Sequence, residues 1–233
     1  RGGKPNGLIM EDHLLMTLGY WREYRTDFHI GQTYGKSESS AYRIIKGCED
    51  TLAKSDVFRL PGRKAAATSE RPFDVILIDA TETPIERPQK SSDATIGEEK
   101  AATLKTQLVV QKSTLRILCI AHDKGRRHDF RWFKKSTVRL HPQAKALVES
   151  GYQGLQKRHA QTEMPKKRSK KNPLTKADKT KNREISADRV SCENVIAVLK
   201  RFKIISDRYR NRRRRFGLRF FLIAAIYNRE LLN

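Results

Sequence analysis

Residues 75–88 have the sequence VILIDATETPIERP, in which a run of four apolar residues leads directly into a carboxylate, Asp79. A short, continuous apolar run that is bounded by polar turn residues predicts a strand buried on both faces. An aspartate at the end of such a strand is often only a turn residue. It can equally be a metal-binding or catalytic carboxylate, and other parts of the sequence have to separate these two interpretations.

The composition favours a polyanionic partner. The chain has 233 residues and carries 49 Lys and Arg against 26 Asp and Glu, a formal net charge of +23, which attracts nucleic acid. We expect no membrane partner, because the apolar stretch at 220–226 is far shorter than the about 20 residues of a membrane-spanning helix. Cys48, Cys119 and Cys192 lack metal-site spacing and fit buried thiols in a reducing, cytoplasmic compartment. The chain begins at Arg1 instead of Met, so we expect further residues before it.

The N-terminal region, residues 1–58, is predicted to be helical. Apolar residues at helical spacing predict a first helix over residues 10–25. A short helix over residues 28–34, a turn at Gly35 and a third helix are expected next. This is the outline of a helix-turn-helix, although many helical hairpins share it. Residues 59–72 contain Pro and Gly and predict a linker.

The remaining chain, residues 73–233, predicts an α/β domain. Strands are expected over residues 73–80, 103–111 and 115–123, because these stretches are apolar or alternate between apolar and polar residues. A helix capped by Asp129 and a fourth strand that ends on Glu149 are expected to follow. The sequence GYQGLQKRH, which comes after the fourth strand, predicts another helix.

Two basic segments surround a predicted long amphipathic helix over residues 186–210. The first lies in an expected solvated, mobile loop over residues 164–184, where positions 166–183 hold nine Lys or Arg and one acid. The second, residues 208–219, holds seven Arg and leads into a last apolar helix. A charge run is usually only a solvated face, but this density of Arg favours contact with phosphates.

Three acids stand where they could meet. Asp79 and Glu149 end two strands, and Glu193 lies beside the apolar stripe of the long helix. Mg²⁺ prefers oxygen ligands, and clustered carboxylates would repel one another without a cation. Each acid also has a plainer explanation: a turn residue at the first two positions, and for Glu193 a surface ion pair with Arg189 or Lys200.

The sequence resembles bacterial insertion-sequence transposases, in the branch whose nuclease domain is related to Harbinger transposases. Six stretches carry the resemblance in this order: YWREYRTDFHIGQTYG, ILIDATETPIERP, TLKTQLVV, HDFRWFKKS, GYQG and ENVIAVLKRFKIISDRYRNRR. It covers nearly the whole chain. The resemblance implies a helix-turn-helix region followed by a ribonuclease H-like mixed sheet with flanking helices. It also implies an Asp-Asp-Glu triad that holds Mg²⁺ or Mn²⁺, and we expect two ions.

The family's triad maps onto this sequence with one departure. Asp79 matches the first acid and Glu193 matches the third. The family's second acid is an Asp directly before SGYQG or TGYQG, and here that position is Glu149. The extra methylene displaces the carboxylate by about 1 Å, and such displacements cost catalytic sites heavily. If Glu149 is not the second acid, Asp129 is the next candidate.

Residues 91–102 form a second departure. The family pattern there is aromatic and basic, whereas this chain has Glu98 and Glu99. Codons for residues 96–101, if read one nucleotide later, can encode Ser-Gly-Lys-Lys-Lys-Arg. This possibility indicates two compensating frameshifts in a decaying gene copy, and hence weakened activity.

The function implied by the resemblance is that of a DNA transposase. Such an enzyme binds the terminal inverted repeats of its element as a dimer or higher oligomer at the bacterial nucleoid, cuts them and joins the 3′ ends to target DNA. We expect base contacts from Ser39, Ser40 and Arg43 on the second helix of the helix-turn-helix. Phosphate contacts are expected from Lys166, Lys167, Arg168, Lys200, Arg201, Arg208, Arg210, Arg212 and Arg213.

Two alternatives remain open. One is a non-catalytic DNA-binding protein with the same fold, in which the chemistry has been lost through Glu149 and the altered segment at 91–102. The other is an RNA-binding protein, which only the net charge favours.

Overall fold

The N-terminal part of the chain is helical in the computed structural model, which describes residues 7–68, 75–86, 102–125, 128–169, 172–211 and 213–232. Its helices are α1 (Met10–Glu23), α2 (Asp27–Thr33) and α3 (Glu38–Lys54), and a single 3-10 turn follows at Asp56–Phe58. Thr26 and Ser37 cap α2 and α3, because their side-chain oxygens accept the N–H groups of His29 and Ser40, each at 3.3 Å.

Two glycines shape the connection between α2 and α3. Gly35 has a φ of +61°, in the left-handed region that glycine adopts at low cost. At Gly31, an added Cβ would lie 2.6 Å from the carbonyl oxygen of Lys36, so no larger residue fits there without movement. The expected helix, glycine turn and helix are therefore present.

A mixed sheet of five strands lies at the centre of the C-terminal part. The strands are β1 (Val75–Pro84), β2 (Thr103–Gln111), β3 (Ile117–Lys124), β4 (Lys145–Val148) and β5 (Thr162–Glu163). Their order in the sheet is β3-β2-β1-β4-β5. β1 runs antiparallel to β2 and parallel to β4. The predicted fold class, a ribonuclease H-like mixed sheet preceded by a helical region, is confirmed.

Helices cover both faces of this sheet. They are α4 (Ala65–Thr68), α5 (Asp129–Lys135), α6 (Lys176–Leu199), α7 (Lys203–Ser206) and α8 (Phe216–Glu230). Leu77 belongs to the larger core, together with residues of α6, α8 and the N-terminal helices. Ile76 and Ile78 belong to the smaller core, with residues of α5. β1 is therefore buried on both faces, as its continuous apolar run predicts.

The helical region packs against the C-terminal helices through a buried carboxylate on α3. Glu49 is fully buried, and its Oε1 accepts the indole N–H of Trp21 at 2.9 Å and the Nε–H of Arg219 at 2.7 Å. Arg215 donates to the other carboxylate oxygen. Close by, the ring of Tyr24 stacks on that of Tyr209 with 6.2 Å between centroids. Because its charge is paired and bonded at both oxygens, Glu49 can remain buried.

The helix that carries Glu193 differs from its prediction at both ends. α6 begins at Lys176, so residues 176–184 are helical and the loop expected over residues 164–184 is wrong there. Thr175 and Asp178 form a capping box, a start signal that the sequence contained. The helix ends at Leu199, well before residue 210, because the chain then turns into the short helix α7.

The prediction that Asp129 caps α5 is wrong. Asp129 is the first helical residue, His128 occupies the cap position, and no side chain caps the helix. The carboxylate instead forms an ion pair with Lys105 at 2.6 Å. The stretch GYQGLQKRH forms two single 3-10 turns, Ser150–Tyr152 and Leu155–Lys157, in place of the predicted helix.

The segment expected to be a linker is partly packed against the sheet. The backbone N–H of Gly62 donates to the carbonyl of Leu118 at 2.8 Å, and Ala66 in α4 is buried. Residues 69–72 lie outside the described residues, as do residues 91–101 of the altered segment. Among the helices described, none has the length and apolar character needed to cross a membrane.

Candidate metal centre

The sheet brings two of the predicted acids to one edge. The last parallel pair of β1 and β4 is Ile78 with Val148. Asp79 is the next residue of β1, which continues to Pro84, so the prediction that Asp79 ends its strand is wrong. Glu149 directly follows the end of β4. Residues two apart on a strand point to the same face, so Asp79 lies on the face of Leu77, which belongs to the same core as residues of α6. α6 packs against both strands. The third acid, Glu193, therefore approaches the other two from this helix.

The three carboxylates form one cluster. One oxygen each from Asp79, Glu149 and Glu193 lies within 4.8 Å of the other two. Asp79 is at the base, because its side chain is only 9% exposed, against 46% for Glu149 and 57% for Glu193. The cluster is thus closed on the side of the sheet and open towards solvent.

Asp79 is the acid with the most perturbed environment. Burial raises the pKa of Asp79 to about 6, and the negative charge of Glu149 adds to the rise. The backbone N–H of Ala80 donates to Oδ1 of Asp79 at 2.7 Å and opposes this shift. A cation that binds beside Asp79 therefore stabilises its ionised carboxylate.

Arg189 supplies a positive charge to the cluster. It lies one turn before Glu193 on α6, and its side chain is 10% exposed. Its Nη2 atom is 3.5 Å from Oδ2 of Asp79 and 3.7 Å from Oε1 of Glu193, and it also forms an ion pair with Glu149. From the sequence we expected Arg189 only as a surface partner of Glu193. The spacing of four residues between Arg189 and Glu193 indicated their ion pair. It did not indicate the contacts of Arg189 with Asp79 and Glu149.

The donor set fits a hard divalent cation. Three carboxylates from three elements offer oxygen ligands, which Mg²⁺ and Mn²⁺ prefer. Cys192 lies next to Glu193 in α6 but is buried, and burial raises the pKa of its thiol far above neutral pH. Its thiol is not part of the group of three carboxylates that could hold a metal.

Asp129, the alternative second acid, does not join this cluster. Besides its ion pair with Lys105, it packs over the loop that follows β4: a Cβ added at Gly151 would lie 2.2 Å from Oδ2 of Asp129. Among the described residues, only the three acids named above form a group able to hold a metal. Asp129 thus contacts the loop that follows Glu149, but its carboxylate is not part of the acidic cluster.

The residues expected to read bases lie on α3. Ser39 and Arg43 are exposed, and the half-buried Ser40 shares a 3.0 Å hydrogen bond with the hydroxyl of Ser37. Sequence reasoning missed two further exposed residues of this helix, Tyr42 and Lys46, although their helical spacing from Ser39 could have found them. The assignment of Ser39, Ser40 and Arg43 to base contact remains a prediction.

The residues expected to contact phosphates have different surroundings. Lys166 pairs with Asp178 at 2.7 Å, and Arg210 donates to the backbone carbonyls of Tyr24 and Arg25. Lys200 is half-buried, and Arg212 lies outside the described residues. The others are exposed: Lys167, Arg168, Arg201, Arg208 and Arg213. Their contact with DNA also remains a prediction.

Comparison with known sequences gives two family matches. Residues 78–228 match a family described as DDE superfamily endonuclease. Residues 6–55 match the family described as the helix-turn-helix of DDE superfamily endonuclease. The two matches cover the three acids and the helices α1 to α3, respectively.

Individual relatives agree with the family matches. The chain is 46% identical over 230 residues to a protein of Microchaete diplosiphon described as a probable transposase for insertion sequence element IS702, covering 98% of this chain and 83% of that protein. It is 25% identical over 213 residues to a Streptomyces albus G protein provisionally described as a transposase for insertion sequence element IS112, covering 89% and 75%.

Among solved structures, the Mos1 transposase paired-end complex with left transposon end matches 99% of this chain and 78% of its own, at 9% identity. Its TM-score of 0.25 is too low to support any conclusion. The sequence matches are sufficient without it. The predicted resemblance is confirmed, and this chain belongs to the DDE superfamily of endonucleases, among the transposases of insertion sequences.

Proposed function

We propose that this protein cuts DNA at the ends of its insertion sequence and joins the free 3′ ends to target DNA. The observation that carries the proposal is the convergence of Asp79, Glu149 and Glu193 within 4.8 Å. We assign these three residues as the ligands of Mg²⁺ or Mn²⁺, two ions in the active complex. When bound, such ions activate a water or 3′-hydroxyl and stabilise the departing oxygen of the phosphodiester.

The chain's own residues have separable roles in this proposal. Asp79 is held by the sheet and by the N–H of Ala80, so it fixes the inner side of the site. Glu149 and Glu193 are half exposed and face the side from which a DNA strand can approach. Arg189 holds the three acids together before the ions bind, because its guanidinium offsets their negative charge.

DNA binding is assigned to the helix-turn-helix and to the basic segments. Ser39, Ser40 and Arg43 on α3 are the proposed base contacts. The exposed Lys and Arg of segments 166–183 and 208–219 are the proposed phosphate contacts, which position DNA without reading its sequence. The proposed substrates are the terminal inverted repeats and a target duplex. A dimer or higher oligomer is the form expected to hold two ends at once.

We also propose that this copy is a weakened enzyme. Glu149 replaces the family's Asp, and Mg²⁺ requires nearly ideal octahedral geometry, so a longer carboxylate has to buckle to reach the ion. Glu98 and Glu99 lie outside the described residues, but two acids in a segment that is basic in the family would repel phosphates.

A second candidate function is non-catalytic DNA binding. The observation in its favour is the position of Arg189, whose guanidinium already neutralises the carboxylates in the way that a metal ion would. If Arg189 is not displaced, the protein binds DNA without cutting it.

One experiment separates the two functions. A supercoiled plasmid that carries the DNA flanking this gene is incubated with the protein and Mg²⁺ or Mn²⁺, and nicking and strand joining are followed on gels. We expect metal-dependent nicking that Asp79→Asn and Glu193→Gln abolish. Asp188→Asn is the matched control, because Asp188 lies on α6 but pairs with Lys112 at 2.7 Å, away from the cluster. Binding without nicking in either metal would support the second candidate.

A further inference from the structure

A cleft of about 670 Å³ opens between α3 and the arginine-rich segment that precedes α8. The catalytic proposal does not use it. The lining residues that matter here are Tyr20, Asp27, Tyr42, Lys46, Asn211 and Arg214. They come from all three helices of the N-terminal region and from the C-terminal part of the chain, so the cleft exists only because these two parts pack together.

Most of the arginines around the cleft are already bound to protein groups. Arg215 pairs with Asp50 at 2.7 Å, and Arg219 pairs with the buried Glu49. Lys46 and Arg214 are exposed, and within the described parts of the chain their side chains form no ion pair. Two positive charges at the cleft are therefore available to a ligand, which points to an anion.

The cleft also contains a group that a simple anion would avoid. The carboxylate of Asp27 is half-buried, and in the described structure it makes no hydrogen bond or ion pair. Burial raises the pKa of Asp27, and the positive charges of Arg219 and Arg210 oppose this rise and favour the ionised form. When ionised, a carboxylate only accepts hydrogen bonds and repels phosphate. The ligand must therefore combine a negative charge with separate N–H or O–H donors.

The lining of the cleft also includes an exposed aromatic side chain. Tyr42 is 49% exposed, and among the described residues its ring has no aromatic or cation–π partner. Across the cleft, Asn211 donates to the hydroxyl of Tyr20 at 3.1 Å, so these two side chains are fixed. A free aromatic face beside cations is the arrangement on which nucleic-acid bases stack.

We propose that this cleft receives one unpaired nucleotide of the DNA held by α3, with its base on Tyr42 and its phosphate beside Lys46 and Arg214. The inference rests on the proposed DNA binding and goes beyond it, because a paired duplex cannot present a base edge inside a cleft. The donor edge of the base then faces Asp27. Guanine fits best, because its N1–H and N2–H₂ groups are adjacent donors for a carboxylate that only accepts.

The test measures fluorescence anisotropy of the full chain with three labelled 30-base-pair duplexes: fully paired, with one bulged guanine, and with one bulged thymine. We expect the order guanine bulge, thymine bulge, paired duplex, from tightest to weakest. Tyr42→Ala should weaken binding to the guanine bulge roughly tenfold more than binding to the paired duplex, since stacking on one aromatic ring has about this value. Tyr42→Phe should retain the preference.

Two further results decide the assignment of the carboxylate. Asp27→Asn should remove the preference for bulged guanine over bulged thymine, with the thermal melting curve as a check that the variant folds. Equal affinity of the unmodified protein for bulged and paired duplexes would overturn this inference and leave the proposed DNA binding intact. Failure to bind any of the three duplexes would overturn the proposed function as well.

Discussion

Nη2 of Arg189 lies 3.5 Å from Oδ2 of Asp79, although the two residues are 110 positions apart in the chain. Both side chains are nearly buried, so the contact is formed in a weakly screening environment. The positive charge of Arg189 on α6 therefore contacts Asp79, which is the acid of the cluster with the least access to water. This contact accounts for how three carboxylates can be held together before a metal ion binds.

Replacing Arg189 should change both stability and metal response. Arg189→Gln leaves three acids without a counter-charge, and we expect the free energy of unfolding without metal to fall by about 1–3 kcal/mol. The loss is smaller than for a fully buried pair because Glu149 and Glu193 are half exposed. Mg²⁺ should then raise the melting temperature of the variant more than that of the unmodified protein. Arg189→Lys, which keeps the charge, is the control, and an equal Mg²⁺ response in all three proteins would contradict the account.

Metal affinity should depend on pH through Asp79. Its pKa in the folded protein is about 6, raised from 3.8, so the folded state holds this proton more tightly than the unfolded state. In the metal-free protein its contribution to stability is complete below about pH 4 and is lost as the pH rises through 6. Metal binding needs the ionised form, so affinity should rise between pH 5 and 7 and then level. Calorimetric titration with Mn²⁺ at a series of pH values measures this, and a flat profile over that interval would refute it.

The buried carboxylate on α3 should be important for stability. Glu49→Ala leaves the buried Arg219 without its carboxylate partner, whereas Arg215 keeps its ion pair with Asp50, and we expect a loss of about 3–5 kcal/mol in the free energy of unfolding. The neighbouring Asp50→Ala is the control, because Asp50 is 48% exposed and should cost about 1 kcal/mol or less. Urea unfolding is followed by tryptophan fluorescence, which senses the surroundings of Glu49 because Trp21 donates to its carboxylate. Similar losses in both variants would argue against this role.

Shortening the second acid should strengthen the enzyme. We expect Glu149→Asp to raise the rate of strand cleavage, and a tenfold gain would correspond to about 1.4 kcal/mol of barrier. A basic Ser-Gly-Lys-Lys-Lys-Arg stretch at residues 96–101 should add to that gain. The assay uses a duplex of the element end with Mg²⁺ or Mn²⁺, and Asp79→Ala is the blank. Full activity in the unmodified protein, unchanged by Glu149→Asp, would show that Glu149 is an adequate ligand.

DNA binding should weaken steeply with salt. If six to ten phosphates are contacted, affinity should fall roughly 10³- to 10⁵-fold between 50 and 200 mM salt. Competition between an element-end duplex and a structured RNA at each salt concentration also tests the RNA-binding alternative. A nearly flat titration would show that the basic side chains do not contact phosphates, and preference for the RNA would favour the alternative.

The strands and the acids that follow their apolar runs could be predicted because their signals are local. The apolar runs before Asp79 and Glu149 each predict a strand, and the parallel pairing of these two strands brings the two acids together. The end of β1 was not predicted, since the strand continues past Asp79 to Pro84. The position of Arg189 could not be predicted in this way. Its contact with Asp79 depends on how α6 crosses the sheet, and periodicity shows only that Arg189 and Glu193 share a helix face.

Two other differences have separate causes, one local and one tertiary. Thr175 and Asp178 signal the start of α6 within a segment whose charge suggested a loop, because a capping box is a stronger constraint than composition. Asp129 was expected to cap α5, but its ion pair with Lys105 is a tertiary contact that outweighs the capping preference. The burial of Glu49 had no local signal, since its partners come from α1 and α8.

Direct measurement of metal binding tests the central claim, that Asp79, Glu149 and Glu193 form a divalent-ion site. Mn²⁺ bound to the unmodified protein is counted by electron paramagnetic resonance and compared with Asp79→Asn, Glu193→Gln and the control Asp188→Asn. The account predicts bound Mn²⁺ in the unmodified protein and in Asp188→Asn, and its loss in the other two. Equal Mn²⁺ binding by all four proteins, or none by the unmodified protein, would contradict it.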